Sequence, residues 1–432
     1  MYWESEKECI SRDVLKQLQL ERLQATLLRV YLNVPFYRKK FDELHLDPDA
    51  FRSLEDLSKL PVTSKDDLRL SYPYGMFAVP LREVVRIQTS SGTTGMPTVV
   101  GYTRNDIKNW SNLAARILVA GGVTQNDIVQ IAFDYGLFTG ALGFHYGAER
   151  AGASVIPISS VNTRRQVKIM EDFKTTALIC TPGYALAIAN TISDTGLNVN
   201  SLSLKYGLFA AEPWSETVRH ELQEKLKIVA TDSYGLSEVM SPGVAGECPE
   251  REGLHINEDH FLVEVVDPDT LRPLPEGETG ELVITTLMKE AFPVVRFRTR
   301  DLTSIRSEPC PCGRTFVRMS KVMGRTDDMI KIRGVTVFPS QIESVLREIE
   351  GTEPQYQIVL DRKEAVDELT VLVEVSESIF FDQIRKQKGF IENIKSRLAT
   401  ELGIPVEVKP VEKQTIGRVA GKTGKVIDNR AF

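Results

Sequence analysis

Apolar positions along the chain change their spacing twice, and each change predicts a different architecture. Residues 3–30 repeat apolar side chains at helical intervals, and Asn33-Val34-Pro35 ends that pattern. Pro61 to Asp67 contains a helix start, with Thr63 or Ser64 as the cap. Short apolar runs then predict strands at 84–88, 98–102, 127–132, 153–158 and 177–180, with briefer ones at 208–210 and 228–230. Helical stretches at 105–120, 162–173 and 214–226 separate the later runs. Such alternation predicts an α/β fold with parallel layers in a large N-terminal domain.

From about residue 260 the helical stretches stop. Apolar runs at 261–266 and 280–285, joined by a turn rich in Pro, Gly and Asp, predict a β-rich subdomain over about 240–324. Beyond Gly324-Arg325-Thr326-Asp327-Asp328 the order changes again, to a helix at 339–349, strands at 355–361 and 368–374, a helix at 380–401 and a strand at 405–411. That order predicts a small C-terminal α+β domain over 329–432. No internal repeat or low-complexity segment interrupts it.

Composition narrows the class. A chain of 432 residues suits two or three domains. A formal net charge of −6 without any basic block argues against a nucleic-acid surface. No apolar run approaches the ~20 residues of a membrane helix, and the acidic stretch Met1 to Glu8 lacks the apolar centre of a signal peptide. The expectation is a cytoplasmic protein with no membrane partner.

Five cysteines in this length make no disulfide framework. Cys248 and His255 (C-x6-H) with Cys310 and Cys312 (C-x-C) can supply a tetrahedral Cys3His zinc site, the plain alternative being ordinary free thiols. Cys180 reads as core, and Cys9 as a partly buried residue of the first helix.

The strongest chemical signal is Thr89-Ser90-Ser91-Gly92-Thr93-Thr94-Gly95-Met96-Pro97-Thr98. Gly92 and Gly95 permit turns in which backbone N–H groups converge on an anion, and the hydroxyls add rotatable donors. Flanked by two predicted strands, the segment reads as a strand–loop–strand clamp for a polyphosphate. It lacks the Gly-Lys-Ser/Thr ending of P-loop NTPases. Met96 stands where a lysine would be the natural partner for phosphate charge, which predicts weakened pyrophosphate handling. Met96→Lys is therefore expected to lower the Michaelis constant for ATP; an unchanged or higher value would refute this role for the loop.

Four further clusters suit a site that uses ATP. Ala211-Glu212-Pro213 follows a strand, where open α/β sheets place ligands. In Asp232-Ser233-Tyr234-Gly235-Leu236-Ser237-Glu238, Tyr234 can stack on a purine, Gly235 allows close approach, and Glu238 offers a hard oxygen for Mg2+. Asp301 can accept hydrogen bonds from both ribose hydroxyls, and Arg325 is a cation for phosphate or ribose.

In this order and spacing the motifs resemble the adenylate-forming acyl-CoA synthetases over nearly the whole chain. Gly136-Leu137-Phe138-Thr139-Gly140 with His145 to Arg150 resembles the phenylacetate–CoA ligase branch, and Gly421-Lys422 completes the set. The resemblance implies a two-step ligase. ATP and an arylacetic acid, phenylacetate first, give an acyl-adenylate and pyrophosphate; coenzyme A then displaces AMP. The alternatives are another aryl acid, a carrier-protein acceptor, or a nucleotide-binding paralogue without turnover.

By the same resemblance, Ser90, Ser91, Gly92, Thr93, Thr94 and Gly95 grip the β/γ-phosphates and Glu238 holds Mg2+. Tyr234 with Ala211, Glu212 and Pro213 frames the adenine, Asp232, Ser233 and Gly235 also line the nucleotide, and Asp301 and Arg325 hold the ribose. Lys422 is the catalytic lysine of the first step, with Lys425 as its rival. Asp327, within 325–328, is the hinge of a mobile C-terminal lid. Tyr135, Phe138, Gly140, Ala141, Phe144 and Ala210 are candidates for the acyl pocket, and the zinc would be structural. The resemblance also implies a homodimer.

Overall fold

The computed structural model describes residues 1–90, 97–137, 139–332, 335–349, 351–363, 366–375, 384–413, 415–416 and 426–430. Two compact units part between Val322 and Met323, just ahead of the expected hinge.

In the N-terminal unit the first apolar repeat forms not one helix but two, Ser5–Glu8 and Arg12–Asn33. Cys9 falls in the break and is exposed, contrary to its expected place on a helix. Pro35 ends the pattern but also opens a new helix, Pro35–Glu43, because a proline at the first helical position forfeits no hydrogen bond. Ser64 caps the next helix, Lys65–Leu70, in a reciprocal box with Asp67.

Among the described residues the central sheet has nine strands. Its parallel part runs Val229–Tyr234, Tyr206–Ala210, Ala177–Cys180, Ile128–Ile131, Ser154–Ile156. It continues antiparallel through Ala245–Glu247, Leu254–Ile256, Arg318–Met319 and Ile305–Arg306. Part of the expected β-rich subdomain therefore extends the main sheet. Phe261–Val266, Gly280–Thr286 and Phe297–Thr303 pair in a separate sheet, antiparallel to one another. Even these share a core with the N-terminal helices, since Leu23, Leu27 and Val30 cluster with Phe261, Leu282 and Phe297.

Helix Arg104–Ala120 starts in a Thr103–Asp106 capping box, and helix Gly140–Ala151 lies against it. Two glycines on one face make the approach possible. A Cβ on Gly147 would stand 2.6 Å from the Ala114 Cβ and 2.8 Å from its carbonyl carbon, and one on Gly143 would strike Trp110 and Pro242. The closely packed helix positions the segment that precedes it.

In the C-terminal unit Thr352–Lys363 and Val366–Val375 pair antiparallel, flanked in parallel by Val426–Asp428 and Glu407–Val411. Helices Pro339–Arg347 and Ile384–Leu402 contribute Ile342, Leu346, Ile394 and Leu398 to a core with Ile358, Val371 and Val373. No helix among the described residues is long and apolar enough to cross a membrane.

Candidate nucleotide and metal sites

Strand ends assemble the first site. Tyr206–Ala210 and Val229–Tyr234 run in parallel with Ala210 opposite Ser233, so Ala211-Glu212-Pro213 and Gly235 leave the sheet at the same edge. Ala211 turns there with φ of +72°, an unfavourable conformation for a residue bearing a Cβ and one found at ligand sites. Glu212 is exposed, its Oε2 accepting the Gly183 N–H at 3.4 Å, and Pro213 beside it is also exposed.

A third strand joins this edge through one hydrogen bond. The Tyr234 hydroxyl donates to Asp301 Oδ2 at 2.7 Å across 67 positions of sequence, fixing the orientation of a buried carboxylate. Asp301 lies inside the strand Phe297–Thr303, where Arg298 forms a two-pronged ion pair with buried Glu281.

Ser233 Oγ and Glu238 Oε1 are among the buried polar atoms that have no hydrogen-bond partner among the described residues. An orphaned, buried carboxylate oxygen costs free energy unless a cation or donor satisfies it. Glu238 Oε1 thus fits a magnesium ligand. Asp232 differs: burial, with the Glu247 carboxylate beside it, pushes its carboxyl up to about 7.

Hydrogen bonds link the base of the candidate phosphate loop to Leu137, and Thr139 to Ser237, the residue before Glu238. Ser90 N–H donates to the Thr98 carbonyl at 3.0 Å, and Thr98 N–H donates to Ser90 Oγ at 3.1 Å, closing the loop at its neck. Thr89 N–H donates to the Leu137 carbonyl at 2.9 Å, and Thr139 Oγ1 meets Ser237 Oγ at 3.3 Å. Ser91, Gly92, Thr93, Thr94, Gly95, Met96, Phe138, Lys422 and Lys425 lie outside the described residues.

Of the acyl-pocket candidates, Ala141, Phe144 and Ala210 are buried in one apolar cluster, with Phe144 stacked on Phe133 at 6.1 Å. Tyr135 is half-buried at its margin and bonded to His145 Nδ1 at 3.1 Å, and Gly140 has open space where a Cβ would be. In the C-terminal unit Arg325 pairs in two-pronged fashion with Asp327, at 2.8 and 2.9 Å.

Lys289 is a residue that no motif in the sequence singles out. It is buried, donates to the Glu238 carbonyl at 3.2 Å, and lies 4.7 Å from the Tyr102 ring centre and 5.2 Å from that of Phe292. A lone lysine between the apolar runs 282–287 and 291–295 was the available signal. Burial pushes its ammonium down to about 7, against the pull of Asp106 and Glu238. The unfolded chain then binds more protons than the folded one between about pH 7 and the ordinary lysine value near 10.4. Wild-type stability should therefore rise relative to Lys289→Met as pH increases from 6.5 to 9.5, measured by urea denaturation. A constant difference would mean that the aromatic faces and the carbonyl hold the ammonium at its ordinary value.

The second site is separate. Cys248 follows strand Ala245–Glu247, His255 lies on the paired strand Leu254–Ile256, and Arg318 of the next strand is opposite His255. Cys310 and Cys312 occupy the turn before that strand. The four ligand atoms lie within 4.8 Å of one another, with Cys248 Sγ to Cys310 Sγ at 3.7 Å and Cys312 Sγ to His255 Nε2 at 3.4 Å. Zinc–sulfur bonds of about 2.3 Å in a tetrahedron imply sulfur separations of about 3.8 Å, so the donor set fits. The Cys248 and His255 hydrogen bonds draw the Cys312 thiol strongly down, while Cys248 is pushed up.

The cysteine turn is tied to the chain's first residues. Arg314 Nε bonds buried Glu8 at 2.7 Å, its other nitrogen bonds the Met1 carbonyl at 2.6 Å, and the Tyr2 hydroxyl donates to the Cys312 carbonyl at 2.6 Å.

The AMP-binding enzyme family matches residues 37–288, and the AMP-binding enzyme C-terminal domain matches residues 334–430. A phenylacetate-coenzyme A ligase of Thermus thermophilus is 46% identical over 444 residues, spanning 100% of both chains. That of Escherichia coli is 47% identical, over 98% of this chain and 97% of its own. A crystal structure of 2-hydroxyisobutyryl-CoA ligase with 2-HIB-AMP is similar at a TM-score of 0.89, with 31% identity over 98% of this chain and 92% of that one.

Proposed function

The chain belongs to the phenylacetate–CoA ligases of the adenylate-forming AMP-binding enzymes, and we propose on that footing that its own acid is phenylacetate. The enzyme is an AMP-forming acid–thiol ligase: ATP and the acid give an acyl-adenylate and pyrophosphate, and coenzyme A then takes the acyl group and releases AMP. The first step requires a carboxylate held in line with the α-phosphorus and a site that stabilises the charge developing on phosphate oxygens.

Each candidate residue has a part in that task. The strand-end turn at Ala211, Glu212 and Pro213 frames the adenine with Asp232, Ser233, Tyr234 and Gly235. Asp301, oriented by the Tyr234 hydroxyl, accepts the ribose hydroxyls, and Arg325 has the role of a second ribose contact. Glu238 is the magnesium ligand; the ion when bound neutralises polyphosphate charge. Ser90 keeps the phosphate loop closed at its neck, and residues 91–95 bind the β- and γ-phosphates. Lys422 bridges carboxylate and α-phosphate, and Asp327 is the pivot between half-reactions. Phe144, Ala141 and Ala210 form the buried wall of the acyl pocket, with Tyr135, Phe138 and Gly140 nearer its mouth.

The observation that carries this reading is the joining of Tyr234 to Asp301 at one sheet edge, on the strand-to-turn segment that carries the buried Glu238 Oε1, an oxygen with no hydrogen-bond partner among the described residues. Pyrophosphate release with ATP and Mg2+ across a panel of aryl acids tests it, with phenylacetate expected to give the highest kcat/KM. An indolyl or hydroxyphenyl acid in first place would replace the substrate. Release without thioester on adding coenzyme A would point to a carrier-protein acceptor, and no release to a nucleotide-binding paralogue.

Zinc at Cys248, His255, Cys310 and Cys312 has a structural part, because none of the four belongs to the nucleotide cluster. A homodimer acting in the cytoplasm belongs to the same proposal, and sedimentation analysis tests the assembly.

A further inference from the structure

We infer that Lys65 is an additional cation of the nucleotide site, one that rests on Glu238 until magnesium and polyphosphate arrive and then pairs with the polyphosphate. Lys65 Nζ stands 3.7 Å from Glu238 Oε1, the buried oxygen without a hydrogen-bond partner, and the Lys65 side chain is 41% exposed against 5% for Glu238. Among the described residues it is the one cation within 4.0 Å of that carboxylate, since Lys289 addresses the main-chain carbonyl.

The backbone beneath Lys65 is fixed. Thr63 N–H donates to the Arg296 carbonyl at 2.9 Å, Arg298 N–H donates to the Thr63 carbonyl at 2.9 Å, and Thr63 Oγ1 donates to the Val295 carbonyl at 2.7 Å. These bonds tie the segment to the strand that carries Asp301. Ser64 and Asp67 then lock the next turn, so Lys65 is presented from a rigid base on a long, rotatable stem.

A separation of 3.7 Å exceeds hydrogen-bond length, so the ammonium is paired by charge but not committed by geometry. Magnesium takes carboxylate oxygens at about 2.0–2.1 Å, and a divalent ion there repels the ammonium. The nearest new anion is the phosphate chain bound to that same ion. The exposed stem lets Lys65 follow it, and Lys65 thereby supplies charge that Met96 does not bring to the phosphate loop.

The inference rests on Glu238 as the magnesium ligand, and the two fail separately. Calorimetric binding of magnesium pyrophosphate and of AMP is measured for wild type, Lys65→Met, Lys65→Arg and Glu238→Gln. Lys65→Met is expected to raise the Kd for magnesium pyrophosphate about tenfold, the loss of one charge-assisted contact, with the Kd for AMP unchanged. Lys65→Arg should restore most of the binding. An unchanged pyrophosphate Kd in Lys65→Met, or an equal weakening of AMP, would overturn the role of Lys65. Unchanged dependence of pyrophosphate binding on magnesium concentration in Glu238→Gln would instead remove Glu238 as the ligand.

Discussion

Replacing Lys422 with alanine should lower adenylate formation by roughly 10²- to 10³-fold, the scale of removing one positioned electrostatic group from a transition state. Conversion of added acyl-adenylate to thioester should persist close to the wild-type rate. The asymmetry follows from the charge each step develops. Attack on the α-phosphorus concentrates negative charge on phosphate oxygens, which a lysine bridging carboxylate and phosphate relieves. Thiol attack on the adenylate places its charge on the acyl carbonyl and departing AMP. Pre-steady-state formation of adenylate and single-turnover thioesterification separate the two. Equal loss in both would sink the assignment. Selective loss in Lys425→Ala, with Lys422→Ala active, would transfer the role to the neighbouring lysine.

The cysteine cluster carries the second large effect. Carefully reduced protein should hold one zinc per chain by elemental analysis, and Cys310→Ser should lose it. Four ligand atoms crowded within 4.8 Å are poorly stable without a cation, because thiolates repel and the weak hydrogen bonds among these groups do not offset that repulsion. The metal-free protein should melt several degrees lower. Its Michaelis constant for ATP should stay unchanged in the fraction that remains folded, since none of the four ligands bonds to Tyr234 or Asp301. A fully stable Cys310→Ser without metal would show that these are plain buried thiols.

The motifs of the proposed nucleotide site stand out in the sequence because each is contiguous. Ser90 with its glycine loop, Ala211 to Pro213, Asp232 to Glu238, and Arg298 to Asp301 each hold their chemistry within a few residues, so spacing along the chain reports position in space. Lys65 and Lys289 were not legible, because their partner Glu238 lies far away in sequence. The buried Arg116–Asp259 pair, 143 positions apart, escaped for the same reason. Continuation of the central sheet through Ala245–Glu247 and Leu254–Ile256 escaped for a different one: strands of three residues are too short to show alternation. Pro35 was correctly seen as a break, but a proline that stops one helix is equally suited to start another.

The clasp of Arg314 on Glu8 and the Met1 carbonyl has a practical corollary for anyone handling the protein. An affinity tag or fluorescent fusion spliced ahead of Met1 begins at Arg314, two residues after Cys312, whose carbonyl the Tyr2 hydroxyl already occupies. A hexahistidine tag would place competing imidazoles within reach of four soft metal donors, and eluting it with imidazole or stripping the column with chelator would act on both at once. A metal count taken from protein purified that way reports on the tag as much as on the fold, so the label belongs elsewhere.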